Sequence, residues 1–219
     1  MRLQNIFLMS GKRSLTHKDL ELIYLDNTLN YYAKNTEEFI ASTLEADMSL
    51  AQEKFLAFLP KGAHILDLGC GSGRDSLCFL QQGFRVTAVD GSLELAKFAS
   101  ELIGQEVIVS DFKDLVLPLA SFDAIWASAS LLHVHSEELP GILAKVIDFA
   151  KPGAVFYMSF KYGAFEGERT GRYYTDLNEA RFADFLQKSG RSLEIIEQWI
   201  AKDVRPDKPE LWLNTFARK

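Results

Sequence analysis

The segment Asp67-Leu-Gly69-Cys-Gly71-Ser-Gly73-Arg74 combines the residue types needed to hold a ligand against the main chain. Glycines let a backbone pass close beneath a bound molecule, and a helix opening just beyond them offers free N–H groups to an anion. A dinucleotide fingerprint would place its third glycine at position 74, where this chain has Arg74. No G-x-x-x-x-G-K-[ST] phosphate loop is present either. The expected ligand is therefore a nucleoside without a pyrophosphate. Asp90 follows 23 positions after Asp67, near the spacing of roughly 20 residues at which a carboxylate meets both ribose hydroxyls. Further on, Ser110-Asp111-Phe112 offers an acid for an adenine amino group and a ring to lie against the base. Either acid could instead cap a helix or a turn.

These residues need a scaffold, and the rest of the chain supplies one. Its 219 residues suit one α/β domain with an added segment, and 47% apolar and 25% charged residues exclude collagenous and disordered classes. Thirty acidic against 24 basic residues give a net charge of −6, which disfavours nucleic acid and anionic lipid as partners. Only Cys70 and Cys78 are present, too few for a disulfide framework, which points to a reducing compartment. The apolar run Ile6 to Met9 is too short for a signal peptide, and no stretch approaches a membrane span. A cytoplasmic location is expected.

Residues 1–15, with Lys12-Arg13, read as a loose arm, and Thr16 to about Phe58 as helices interrupted around Asn27 to Asn30 and at Asn35. Residues 1–58 are thus an arm and helical cover, and 59–219 the core. After Pro60-Lys61-Gly62, His64-Ile-Leu-Asp-Leu-Gly reads as a buried parallel strand. A helix from about Gly73 to Gln82 follows. The alternation then continues with strands at Phe84 to Val89, Glu106 to Val109, Phe122 to Ala127 and Val155 to Phe160. Helices are expected at Ser92 to Ile103 and Ser136 to Ala150. This is the signature of crossover units in a doubly wound parallel sheet. Asp176 with Glu179 is expected to cap a helix from about Leu177 to Ser189, ended by Gly190. Leu193 to Ile200 and Leu211 to Ala217 form an antiparallel pair.

Strand, D-x-G-x-G-x-G, helix, a strand ending in Asp, then S-D-F: from roughly Tyr31 to the C-terminus the chain resembles the class I S-adenosylmethionine-dependent methyltransferases. More narrowly, Gly69-Cys-Gly-Ser-Gly-Arg-Asp75, Trp126-Ala-Ser-Ala-Ser-Leu-Leu-His133-Val and Ser159-Phe-Lys-Tyr-Gly163 with Arg172-Tyr-Tyr174 resemble small bacterial methyltransferases labelled tellurite-resistance-related. The resemblance implies a Rossmann-like, seven-stranded, mostly parallel sheet with its last strand antiparallel and helices on both faces. It implies S-adenosyl-L-methionine as cofactor and S-adenosyl-L-homocysteine as product. Gly69, Gly71 and Gly73 would lie under the methionine portion, Asp90 would hold the ribose, and Asp67, Gly91, Ser92 and Ala127 would be further cofactor-binding residues. Asp111 and Phe112 would frame the adenine, and Ser128 to Leu131 would pass beside the sulfonium. Tyr31 and Tyr32 look like the family's N-terminal cover, although ordinary helix packing would also explain them. Arg74 could reach the cofactor carboxylate or pair with a nearby acid.

Methyl transfer at a sulfonium chiefly requires alignment and exclusion of water, so a base is optional. His133, shortly after the fourth strand, is the general-base candidate, with a structural histidine as the alternative. Lys161 to Tyr174 reads as a polar substrate loop in which Tyr162 and Arg172 are candidate positioning or catalytic residues. Lys161, Arg172 and Arg205 could face an anionic acceptor, and the loop could equally hold a local salt-bridge set around Glu166, Glu168 and Arg169. His133-Val-His135 lacks a clear third metal ligand, so no metal is expected. Amino-group methyltransferases acting on adenine or glutamine resemble one another in an [N/D]-P-P-[Y/F] run, and here Ala127-Ser-Ala-Ser stands in its place. The reading is a small-molecule methyltransferase. The alternatives are a module that binds S-adenosylmethionine or its demethylated product without turnover, and a nucleotide-dependent oxidoreductase, which Arg74 disfavours.

Overall fold

The computed structural model describes residues 27–206 and 208–219. The expected arm, the Lys12-Arg13 cluster and the start of the first helix lie outside those residues.

Strand β1 (His64–Leu68) is buried at every position after the first, as its unbroken apolar run requires of a central parallel strand. It pairs in parallel with β2 (Arg85–Asp90) on one side and β4 (Phe122–Ala127) on the other. Outward from these lie the short β3 (Ile108–Val109) beside β2 and β5 (Ala150–Lys161) beside β4, both parallel. The strand β9 (Leu211–Arg218) inserts antiparallel between β5 and β8 (Glu194–Lys202). The order β3-β2-β1-β4-β5-β9-β8 is a doubly wound, Rossmann-like sheet of seven strands.

Three helices lead in: α1 over residues 27–34, α2 (Thr36–Thr43) and α3 (Ser49–Ala57). Between strands run α4 (Arg74–Gln81), α5 (Leu93–Ile103), α6 (Leu139–Phe149) and α7 (Glu179–Lys188). The two-residue period of the strands divides the core. Trp126 and Ala124 of β4 pack with Phe55 of α3, Phe79 of α4 and Ala99 of α5. Ile125 and Ala127 pack with Ile142 and Val146 of α6 and Phe182 of α7. Trp126 stacks on Tyr157 at 4.0 Å between ring centroids, and this aromatic layer covers the face nearest the glycine loop. Among the described residues no helix is long and apolar enough to cross a membrane.

Several expected boundaries change. Residues 27–30 are helical, and the interruptions fall at Asn35 and over residues 44–48. The third strand shrinks to Ile108–Val109, β5 starts at Ala150 well before Val155, and α6 starts at Leu139 after a single 3-10 turn over Leu131–His133. The segment read as an open loop contains a hairpin, β6 (Glu166–Arg169) paired with β7 (Arg172–Thr175). Thr170 and Gly171 turn it with φ of 50° and 81°, the two positive values that suit the twist of a two-residue hairpin. Threonine in the first of those positions hides the turn. The cap of α7 is Asn178, whose side chain accepts the Arg181 N–H at 2.9 Å. Asp176 binds Arg169 instead.

Candidate active site

A cavity of about 420 Å³ opens at the carboxyl ends of the parallel strands, the edge where doubly wound sheets place their ligands. Its floor is the loop after β1. The N–H groups of Gly69 and Cys70 both donate to the Val89 carbonyl, at 2.8 and 2.9 Å, which ties the loop to the end of β2. Gly69 has φ +78°, and a Cβ there would stand 2.4 Å from Cβ of Ser130. Only glycine fits. Gly71 lies beneath Phe39 of α2, at 3.2 Å from a hypothetical Cβ. Gly73 departs from its expected place under a ligand: its φ of +80° caps α4 and its open side meets Ala99 of α5 at 3.0 Å.

Asp90 supplies the wall beside this floor. One of its carboxylate oxygens accepts the Gly71 N–H and the other the Ser92 N–H, each at 2.8 Å. Burial raises its pKa while those two N–H groups pull it down. Each oxygen retains a further lone pair for a ligand hydroxyl. Gly91 lines the cavity under Leu29 of α1, which stands 2.9 Å from where a Cβ would be. Ser92 faces away and caps α5 through the Leu95 N–H. Asp111 and Phe112 both line the cavity. Asp111 also accepts the Lys113 N–H at 2.7 Å, so its turn-capping role is present as well. Ser128 lines the cavity, whereas Ala127 is packed inside β4.

Beneath the floor sits a buried polar knot. Arg74 grips both oxygens of Asp75 at 2.8 Å and donates to the Thr43 carbonyl at 3.1 Å, so it pairs with the neighbouring acid. Gln52 and the Trp126 indole N–H complete the set around Asp75, at 2.7 and 2.8 Å. Asp67 lies below the loop, outside the cavity, and accepts from Ser76 at 2.6 Å. Burial first, then the charge of Asp75, pushes the Asp67 pKa far above the carboxylate range. A carboxyl raised by folding contributes stability that is full at low pH. That contribution is lost as the pH climbs from the unfolded value of about 4 toward the folded one. Asp67→Asn is expected to flatten this decline, measured as urea midpoints across the acid-to-neutral range; an unchanged slope would refute it.

On the opposite wall, Nδ1 of His133 lies 2.6 Å from the Tyr173 carbonyl and Nε2 lies 2.8 Å from the Tyr32 hydroxyl. A carbonyl only accepts, so Nδ1 carries the proton and Nε2 accepts from Tyr32. Burial lowers the His133 pKa to about 4, so the ring is neutral near pH 7. Tyr32 lines the cavity, while Tyr31 lies behind it, under Arg172. The guanidinium of Arg172 lies 4.3, 5.8 and 5.4 Å from the ring centroids of Tyr31, Tyr32 and Tyr174. Among the described residues Arg172 pairs with no carboxylate. Its buried Nε has no partner, and the guanidinium otherwise reaches the Thr170 hydroxyl at 3.5 Å and the hydroxyl of Tyr32. By contrast, Lys161 binds Glu210 and Arg205 binds Asp203. Tyr162 is outside the cavity, turned toward Glu179 at 3.4 Å. The expected local charge set is rewired: Arg169 takes Asp176, and Glu166 takes Arg181 and the Tyr173 hydroxyl. His135 stacks on the ring of Tyr173, the residue whose carbonyl meets His133 Nδ1.

The sequence reading missed Phe39 and Leu29, which roof the glycine loop, and Trp212 and Asn214 of β9, which reach the far wall. Ser130, within the segment expected beside the sulfonium, has a buried hydroxyl that has no partner and faces Gly69. The signal for Phe39 was its place in a helical apolar stripe, which says core and not roof. A bare cradle, a carboxylate with free lone pairs and an unpartnered hydroxyl suit a ligand carrying a ribose and a polar amino-acid portion.

Residues 65–153 match the family model described as a methyltransferase domain. That match covers about two-fifths of the chain, from β1 to the start of β5, and holds the glycine loop and Asp90. The curated relatives differ in chemistry. It is 31% identical over 129 residues to the 2-methyl-6-phytyl-1,4-hydroquinone methyltransferase of Synechocystis sp., covering 56% of this chain and 40% of that protein. It is 32% identical over 124 residues to an S-adenosyl-L-methionine-dependent Diels-Alderase of Talaromyces variabilis, covering 52% and 42%. The match thus spans about two-fifths of each of these relatives. As a class I fold it superposes on the 1,6-didemethyltoxoflavin-N1-methyltransferase of Burkholderia thailandensis, a structure with bound 1,6-didemethyltoxoflavin and S-adenosylhomocysteine. The TM-score is 0.72 at 24% identity, over 96% of this chain and 93% of that one.

Proposed function

We propose that this chain transfers the methyl group of S-adenosylmethionine to a small-molecule acceptor. The observation that carries the proposal is the Asp90 carboxylate, fixed by two backbone N–H groups beside the bare glycine floor, in one cavity with His133 and Arg172. When bound, S-adenosylmethionine supplies an activated methyl on sulfur, open to in-line displacement. Asp90 would hold the ribose hydroxyls, the loop from Gly69 to Gly71 would carry the amino-acid portion, and Phe112 with Asp111 would face the base. Leu29, Tyr32 and Phe39 would close the top and keep water out, which sharpens every electrostatic contact inside. The family model over 65–153 and the superposition on a structure with bound S-adenosylhomocysteine support this reading.

The test is titration calorimetry with S-adenosylmethionine, S-adenosylhomocysteine and NADH, followed by labelled-methyl transfer into fractionated small molecules. Binding of NADH alone would overturn it. Of the three cations expected to face an anionic acceptor, Lys161 and Arg205 are neutralised by Glu210 and Asp203, which leaves Arg172. Arg172→Ala is expected to lower acceptor turnover about 10- to 100-fold, the loss of one charge-assisted contact, with cofactor affinity nearly unchanged. Equal loss of both would sink the assignment. A second reading, a module that binds the adenosyl ligand without turnover, draws support from His133, whose two ring nitrogens are both already engaged. Release of S-adenosylhomocysteine in the presence of acceptor separates the two.

A further inference from the structure

We infer that the acceptor presents an acidic hydroxyl on a flat framework, held as its oxyanion between Arg172 and the Tyr32 hydroxyl, with His133 behind Tyr32 to receive the proton. The inference rests on the methyl-transfer reading and names the substrate class of that site. Three features of one cavity corner carry it. Arg172 is a cation without a carboxylate among the described residues, its buried Nε unpartnered. The guanidinium is half-buried with its inner nitrogen out of water, and an anion is the usual partner of such a group, so that partner is expected from the ligand. Beside it, the Tyr32 hydroxyl points to a neutral imidazole nitrogen at 2.8 Å, and the other nitrogen is locked as a donor on the Tyr173 carbonyl. The walls around both are the rings of Tyr32 and Tyr174, surfaces that favour a planar partner.

Together these groups select among nucleophiles. An amine would gain positive charge as it is methylated, next to a guanidinium. A carboxylate brings no proton and leaves the Tyr32–His133 pair without a task. A phenol or enol uses both. As its O–H bond breaks, the proton passes to Tyr32 Oη while the Tyr32 proton moves along the existing hydrogen bond to His133 Nε2. The bonding pair stays on the acceptor oxygen, where Arg172 holds the negative charge and displacement can use it. The other charged groups facing this corner are Asp90, Lys161 paired with Glu210, Arg169 paired with Asp176 and Arg205 paired with Asp203, and the remaining titratable neighbours are Tyr31 and Tyr174. Because burial keeps the His133 pKa near 4, the imidazolium holds the proton only transiently: once the oxyanion is consumed, Nε2 returns it to Tyr32 Oη and Tyr32 passes a proton to solvent as the products leave.

The probe is 4-nitrophenol, whose oxyanion absorbs in the visible, titrated from acid to neutral pH into the full chain with and without saturating S-adenosylhomocysteine. The expected result is binding with the ionisation midpoint lowered by about one pH unit or more, the effect of an opposite charge at contact distance. Arg172→Gln should abolish that shift and Arg172→Lys should keep part of it, with thermal melting showing that both variants fold. The methyl ether, 4-nitroanisole, should compete poorly. Binding with an unshifted midpoint, no binding of the phenol, a shift that survives Arg172→Gln, or equal competition by the ether would each overturn the inference. Failure of S-adenosylhomocysteine to bind would overturn the methyl-transfer reading instead, since the phenol signal comes from the chain's own groups.

Discussion

Asp90→Ala is expected to weaken S-adenosylhomocysteine binding by about 100-fold or more, consistent with loss of hydrogen bonds to a charged group worth ~1.5–3 kcal/mol each. Two effects add. The ribose hydroxyls lose their acceptor, and the Gly71 and Ser92 N–H groups lose theirs, so the floor and the start of α5 are no longer held to one point. Asp90→Asn separates these contributions. An amide oxygen can keep one N–H but presents a donor where the second N–H points, so affinity should fall nearly as far while the melting temperature changes less. Calorimetry on both variants is the measurement. An affinity within threefold of wild type for Asp90→Ala would remove Asp90 from the binding site.

The largest effect on stability is expected at Asp75. Its carboxylate is the common partner of Arg74, Gln52 and Trp126, and the side chain is only 7% exposed. Asp75→Ala would leave a largely buried guanidinium and an indole N–H without their acceptor, a change that costs ~3–5 kcal/mol. The pair Lys54–Glu197 provides the contrast, with both side chains more than two-fifths exposed. Exposed pairs contribute ~0–1 kcal/mol, so Glu197→Ala should barely move the urea midpoint that Asp75→Ala moves strongly. Equal effects would mean that the knot under the loop is not a structural centre. The knot also joins α3, α4 and β4, so its loss should reach the cavity floor, and ligand affinity should fall along with stability.

The sheet was legible because its central strands are short apolar runs bounded by glycines and acids, and His64–Leu68 and Phe122–Ala127 fall where the pattern puts them. What failed were features set by direction, which a spacing pattern does not carry. Lys161 and Tyr162 are adjacent in extended chain, so they point to opposite sides. Lys161 took the cavity and Tyr162 the exterior. Gly73 matched the loop motif, yet the motif does not distinguish a glycine beneath a ligand from one against a helix. Asp176 lost the α7 cap to Asn178 because Arg169, brought close by the unexpected hairpin, claims its carboxylate. His133 emerged with both proposed characters at once, fully hydrogen-bonded and facing the cavity through Tyr32.

The place of β9 bears on how the molecule assembles. Residues 211–218 pair with β5 on one side and β8 on the other, so a strand late in sequence fills an interior slot of the sheet. Until it arrives, β5 has one open edge and β8 has no partner among the other strands, and a row of main-chain N–H and C=O groups stays unsatisfied. The parallel half from β3 to β5 can form from nearer segments, whereas the slot between β5 and β8 closes over a loop of some fifty residues. Contacts of that range slow folding. Trp212 and Asn214 of the same strand line the cavity, so a chain without β9 would hold its glycine loop and the His133 wall with the far side unfinished.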